Sequence, residues 1–279
     1  MSELPETQGI EMEASDEITL SQAAALSATL ERNIALREGT PLPCLWHWIY
    51  FRPCTPQTLL GTDGHPKKSG RLSDLALPRR MWAGGHLRFH APLKIGCNAK
   101  RTTRVASLEQ KTGRTGRLAF TTMLHEISDG DTSAIREEQH IVYRDFTAPG
   151  ATKPAPQRPP EASRWEREIN PTEVLLFRYS ALTFNSHRIH YDKPYAKEIE
   201  GYPDLVVHGP LIATLLMELL AINLPDAAVV QFTYKAVRPI FVGGSFIVCG
   251  QPTPDGRTVE LWAKDHEGWL AMSACAMLA

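Results

Sequence analysis

The chain reads as an α+β protein made of two similar halves, each an antiparallel sheet, with one buried helix in the second half. Three observations lead there. A proline-rich segment, "TAPGATKPAPQRPPEAS" (147–163), divides the 279 residues into halves of similar length. It carries no aliphatic residue larger than Ala and reads as an extended linker. The turn "LRFHAPLKIG" of the first half is echoed by "KAVRPIFVGG" in the second. Pro92 and Gly96 share their spacing with Pro239 and Gly243, and apolar Leu93 and Ile95 match Ile240 and Val242. After each turn, apolar and polar residues alternate with the period of a half-buried strand.

Taken in order, residues 1–146 form the first half, with a helical extension expected at its N-terminus. Its strands are "NAKRTTRVASLEQ", "LAFTTMLHEIS" and "AIREEQHIVYR". Residues 164–279 form the second half. There "NPTEVLLFRYSALTF" reads as a helix, with Asn170 as cap, Pro171 in the first turn and Glu173 three residues after the cap. That helix should end near Phe184 and leave Asn185, His187 and His190 in a loop, where a rigid scaffold often presents reactive groups. "HGPLIATLLMELLAINL" (208–224) is a second helix, apolar nearly all round and therefore buried, with Pro210 in its first turn. Strands "SFIVCGQP", "RTVELWAKD" and "WLAMSACAML" follow. The matching stretch of the first half, "GTDGHPKKSGRLSDLALPRRMWAGG", is broken by glycine and proline, so no comparable helix is placed there. If both sheets are shaped to wrap a helix, that vacancy is a natural place for a ligand.

Composition excludes several classes. Net charge is -1, which leaves no electrostatic footprint for nucleic acid or an anionic membrane. The longest apolar run, "PLIATLLMELLAINLP", is interrupted by Glu218 and too short to span a bilayer. The acidic N-terminus lacks the basic and apolar zones of a signal peptide. Five cysteines without C-x-x-C spacing point to reduced thiols and a cytoplasmic protein.

The chemistry concentrates in "ALTFNSHRIHYDKPYA" (181–196). Its "HRIHYD" offers three metal ligands but no fourth, so no metal is expected. Arg178 and Arg188 could as well pair with Glu173 or Asp192. His86 and His90 alternate along a strand and read as structural, and Trp46, Trp48 and Trp82 read as core or as the lining of an acyl pocket.

The segment 179–196 resembles the signature of MaoC-like, type-2 enoyl-CoA hydratases. Tyr179, Leu182, Thr183, Ile189, His190 and Ala196 fall in register, while Phe184, Asn185, His187 and Arg188 stand where that family has Gly, Asp, Asn and Pro. "VVHGPLIATLL" and "VRPIFVGGSFIV" resemble the entry to its central helix and the strand beyond. The variant "FNSHRIHYD", with "RRMWAGGHLRFHAPL" upstream, is most similar to the branch of mesaconyl-C4-CoA and itaconyl-CoA hydratases and mitochondrial type-2 hydroxyacyl-thioester dehydratases.

The resemblance implies a double hot-dog: two curved antiparallel sheets, the central helix kept in the C-terminal half and degenerate in the N-terminal half. It implies a hydro-lyase on an acyl-CoA thioester, with CoA as substrate and no metal or redox cofactor. His190 would be the base, Asn185 would hold the water, and the Gly209 N–H would receive the thioester oxygen. Asp192, His187 and His208 are supporting candidates. Arg188, Arg178, Arg79 and Arg80 are candidates for a substrate carboxylate. Two alternatives stay open: a 3-hydroxyacyl-ACP or acyl-CoA dehydratase for unbranched chains, and a thioester-binding module without turnover. The double hot-dog also leaves open further pairing into a homodimer.

Overall fold

The two Pro–Gly turns make the same pair of hydrogen bonds in both halves. Leu42 N–H donates to the Leu93 carbonyl (2.7 Å) and Ile95 N–H to that of Thr40 (2.9 Å), while Val207 N–H donates to Ile240 (2.9 Å) and Val242 N–H to Leu205 (3.0 Å). Gly96 and Gly243 close these turns at φ of 92° and 101°, a left-handed backbone that glycine adopts without a steric penalty. The computed structural model describes residues 11–68, 72, 75, 77–113, 116–145 and 155–279.

In chain order the first half holds β1 (Met12–Glu17), α1 (Leu20–Thr29), β2 (Arg79–Phe89), β3 (Asn98–Gly113), β4 (Gly116–Asp129) and β5 (Thr132–Arg144). The second holds β6 (Trp165–Ile169), α2 (Glu173–Thr183), α3 (Gly209–Asn223), β7 (Val229–Ala236), β8 (Phe246–Pro252), β9 (Thr258–Lys264) and β10 (Leu270–Leu278). All ten strands form one antiparallel sheet in the order β1-β3-β4-β5-β2-β7-β10-β9-β8-β6. The halves meet at the β2–β7 pair, from Gly84 opposite Lys235 to Arg88 opposite Gln231.

Helix α3 is the centre of the core. Residues Leu211 to Leu220 are buried without interruption, as its all-round apolar sequence requires. Its one charge, Glu218, is met by Arg32 Nε at 2.6 Å and by the Trp46 indole N–H at 2.8 Å. In the first half the chain leaves the equivalent turn and, among the described residues, makes only short 3₁₀ turns, Trp46–Ile49 and Gln57–Leu59, before β2. The first of these is fixed by buried Glu137, which accepts from Trp48 Nε1 (2.9 Å) and Gln139 Nε2 (2.8 Å) and lies 3.1 Å from His47 Nε2.

Two expectations are corrected. The N-terminal extension is not simply helical: Met12–Glu17 is a strand paired with β3 before α1 begins. Its mostly exposed, charged residues suit the edge of a sheet. The cap of α2 is Thr172, whose hydroxyl accepts from Leu175 N–H at 3.2 Å, so Asn170 and Pro171 lie outside the helix. The reading of the tryptophans as core holds: Trp46 is part of the main core, and Trp48 and Trp82 pack against it. Trp46 and Trp48 serve the polar contacts above, and Trp82 stacks on Tyr234 with ring centroids 4.3 Å apart. Of the proline-rich segment, residues 147–154 lie outside the described residues, and 155–163 carry no helix or strand. Among the described residues no helix is long and apolar enough to cross a membrane.

Candidate active site

Helix α2 ends where the sequence places its end, in a Schellman motif. Phe184 takes the left-handed conformation (φ 52°), its N–H donates to Ala181, and Asn185 N–H donates to Ser180. The left-handed backbone explains why the signature prefers glycine at this position; here Phe184 bears the strain. Asn185 Oδ1 then accepts from His187 N–H at 3.0 Å, forming an Asx turn that leads into the 3₁₀ turn Arg188–His190. Because the side-chain oxygen faces a donor, the Asn185 amide presents its NH₂ elsewhere and acts outward as a donor.

The turn delivers His190 to the start of α3. Its Nδ1 lies 2.7 Å from the Val206 carbonyl oxygen. A carbonyl can only accept, so Nδ1 carries the proton and Nε2 keeps the lone pair. His208, the residue before Gly209, stacks on His190 with centroids 3.6 Å apart and bonds Ser180 Oγ through Nε2 at 2.8 Å. His187 meets His190 edge-on at 5.5 Å. All three histidines are buried. Burial lowers the His190 imidazole to about 4, against the hydrogen bond to Val206 that favours its charged form, and it pushes His187 and His208 well below the ordinary range.

Gly209 is the first residue of α3, among N–H groups that have no helical carbonyl to bind. Its small size serves a protein contact rather than a ligand: a Cβ there would lie 2.5 Å from Trp82 Cε3.

A groove of about 1430 Å³ runs beside these residues, where the first half lacks its helix. One wall is the loop Pro53–Lys68; the other is α2 and the loop beyond it, with Phe177, Ser180, Asn185 and Arg188. His190 and Gly209 are not among the residues that line this groove; Ser180 on its wall bonds His208, which stacks on His190, and His65 on its wall stacks near His187. The first-half loop is docked onto the histidine loop by backbone contacts. Arg188 N–H donates to the Asp63 carbonyl (2.9 Å) and Ser186 Oγ to that of Gly64 (2.5 Å). At Gly64 (φ 88°) a Cβ would stand 1.8 Å from the Ser186 oxygen, so only glycine fits.

This docking brings in two residues that the sequence did not single out. His65 stacks near His187 with centroids 4.1 Å apart, and its Nδ1 lies 3.2 Å from Asp63 Oδ2. Burial alone would raise the Asp63 carboxyl, but the His65 contacts hold it below its ordinary value. No periodicity or motif marks Asp63 and His65; the only signal was their place in the glycine-broken stretch. Asp63, His65 and His187 each offer one ligand atom, all within 4.8 Å, and are the described residues that could gather a metal ion. The Arg80 guanidinium sits 3.4 Å from His65 Nε2, and that positive charge opposes a cation there.

The four arginine candidates separate. Arg79 pairs with Glu200 (2.9 Å) and lies over the Tyr202 ring. Arg188 chelates Asp192 through Nε (2.9 Å) and Nη2 (2.7 Å), donates to the Thr62 carbonyl and covers Tyr195, so Asp192 serves Arg188 rather than a histidine. Arg178 is exposed and off the groove wall. Arg80 lines the groove.

A ten-stranded antiparallel sheet with one central helix, and a buried histidine at that helix's start beside a long groove, form the architecture of a double hot-dog. Comparison with known proteins places it further. A family model described as Htd2, hydroxyacyl-thioester dehydratase type 2, matches residues 45–242, and the chain belongs to this family. It is 46% identical over 267 residues to mesaconyl-C(4)-CoA hydratase of Chloroflexus aurantiacus, covering 94% of this chain and 93% of the relative. It is 27% identical to the mitochondrial hydroxyacyl-thioester dehydratase type 2 of Schizosaccharomyces pombe, over 73% of this chain and 76% of that one. Among solved structures, HtdX of Mycobacterium tuberculosis superposes with a TM-score of 0.67 at 17% identity, covering 96% of this chain and all of the other. A second M. tuberculosis protein described as a double hot-dog fold gives 0.60 at 13% identity, over 98% of this chain and 97% of that one. The two sequence relatives are a hydratase and a dehydratase, and the chain is a hydro-lyase of the same kind.

Proposed function

We propose that this protein hydrates a short dicarboxylic enoyl-CoA, of the mesaconyl-C4 or itaconyl type, to citramalyl-CoA. The observation that carries the reading is the fixed tautomer of His190: Val206 holds the Nδ1 proton and leaves Nε2 as a base at the N-terminal end of α3. The substrate class follows from the 46% identity to a mesaconyl-C(4)-CoA hydratase along nearly the whole chain.

For the C4-linked methylfumaryl (mesaconyl) thioester, whose double bond is conjugated with the thioester, water oriented by the Asn185 NH₂ gives a proton to His190 Nε2 as its oxygen bonds to the β-carbon. The π pair moves to the thioester oxygen, which the Gly209 N–H and the positive end of α3 receive; such a donor contributes about 3 kcal/mol to barrier lowering. The imidazolium returns its proton to the α-carbon, so one base completes the cycle. Depression of the His190 imidazole keeps it neutral at working pH and makes that return favourable. Nothing in these steps calls for a metal or redox group, and CoA enters as part of the substrate.

The test is enoyl absorbance followed with mesaconyl-C4-CoA, itaconyl-CoA and crotonyl-CoA side by side. Loss of absorbance with a dicarboxylic thioester is the expected result. Preference for straight-chain thioesters would favour the unbranched dehydratase reading, and tight binding with constant absorbance would make the protein a thioester-binding module.

A further inference from the structure

We infer that Arg80, held in place by His65 and Asp63, is the subsite for the free carboxylate of the substrate; this rests on the enoyl-thioester reading of the same groove. Among the cations around the groove, Arg79 and Arg188 are bound to protein carboxylates, the exposed Lys67 side chain donates through Nζ to the Thr58 carbonyl (3.1 Å), and Lys68 Nζ is taken by the carbonyls of Leu75 and Leu77. Arg80 is half-buried on the groove wall, and among the described residues no carboxylate lies within ion-pair distance of it. A half-buried guanidinium without a counter-charge is costly unless a ligand supplies the charge.

The contact that Arg80 does make is a positioning one. Asp63 accepts the Nδ1 proton of His65, so His65 Nε2 is an acceptor, and Arg80 Nη1 donates to it at 3.4 Å. One of five guanidinium donors is thereby used to aim the group, and the rest stay open for a bidentate carboxylate. Position agrees with chemistry. His65 stacks near His187, which abuts His190, so Arg80 stands two imidazoles from the proposed base. In a C4-linked methylfumaryl thioester the free carboxylate sits on the β-carbon, the atom that water attacks. Its cation must therefore lie close to the base, whereas the CoA phosphates are a full pantetheine arm away. Arg80 would also neutralise the carboxylate charge, which opposes build-up of negative charge beside it.

The experiment compares kcat/KM for mesaconyl-C4-CoA and crotonyl-CoA in wild type, Arg80→Met, Arg80→Lys and, as a control off the groove, Arg178→Ala. Their ratio is independent of how much enzyme is folded. The expected result is a fall in the ratio of about 100-fold for Arg80→Met, partial recovery for Arg80→Lys and no change for Arg178→Ala. An equal loss on both substrates, or an unchanged ratio, overturns the inference. Calorimetric binding of the saturated analogues methylsuccinyl-CoA and butyryl-CoA separates it from the parent reading. Tighter binding of the carboxylated analogue, lost in Arg80→Met, supports the subsite even if wild type turns over neither enoyl thioester; equal binding of both analogues overturns it.

Discussion

Leu42 and Val207 start from the same bridged turn and lead to opposite outcomes. After Val207 the chain enters the fifteen-residue helix α3, with His208 and Gly209 at its start. After Leu42 it makes two short 3₁₀ turns, Trp46–Ile49 and Gln57–Leu59, and continues as a loop that reaches across to the other half. At the first start, His47 is locked to a buried carboxylate; at the second, His208 and His190 stack with no carboxylate partner. His47 of the first half is thus a structural contact, whereas His190 and His208 of the second stand against one another at the start of α3. The first half lines the groove with Asp63, His65 and Arg80, facing Ser180, Asn185 and Arg188 of the second.

The largest effect should come from exchanging those roles. His190→Ala is expected to lower kcat by about 10³-fold or more while leaving the thermal unfolding midpoint within a few degrees. His47→Ala should do the reverse: it leaves Glu137 buried without that partner and costs about 3–5 kcal/mol in urea unfolding, with turnover per folded molecule little changed. Comparable losses of turnover from both would end the division of labour.

A smaller effect probes the link between the halves. Gly64→Ala forces the Asp63–His65 loop away from Ser186, and about 100-fold in kcat/KM should be lost without loss of the central core. Wild-type kinetics in that variant would mean the loop contributes nothing to the site.

The smallest effect is in pH dependence, where the halves should show separate windows. His190 is lowered to about 4 in the fold, so between the ordinary histidine value and 4 the unfolded chain holds a proton the native state lacks. Stability is then lost as pH falls from about 6.5 to 4, by about 3 kcal/mol for this residue. Burial alone would raise Glu137, but the bond to His47 and its neighbours pull it to about 2, so its contribution is present above about 4.5 and lost as pH falls toward 2, again about 3 kcal/mol. Urea midpoints across pH should show that His190→Ala removes only its own share of the upper window, to which buried His187 and His208 also contribute. Glu137→Gln should reduce the lower window, and a loss of the lower window in His190→Ala would contradict the assignment.

Much of this was legible from local pattern. Period-two alternation located β3, β4, β5, β8, β9 and β10, and the all-round apolar run located α3, because side chains facing a core must repeat with the backbone's own period. The Pro–Gly turns were legible because their conformation restricts which residues they accept. The histidine loop was legible through its resemblance to a known signature. Thr172 as a cap was not, since Asn170 offered an equally good local pattern and only the observed hydrogen bond distinguishes them.

Local pattern could also name four arginines but not rank them, because each offers the same guanidinium. The ranking came from which carboxylates the fold placed beside them: Glu200 beside Arg79, Asp192 beside Arg188, and among the described residues none beside Arg80. Likewise Asp63 and His65 stand more than a hundred residues from the histidines they meet, in a stretch without periodicity. Secondary structure follows from interactions between near neighbours, so it can be read along the chain. A binding site is made of groups brought together across it, and here a missing helix and a glycine-sized contact at Ser186 decided which groups those were.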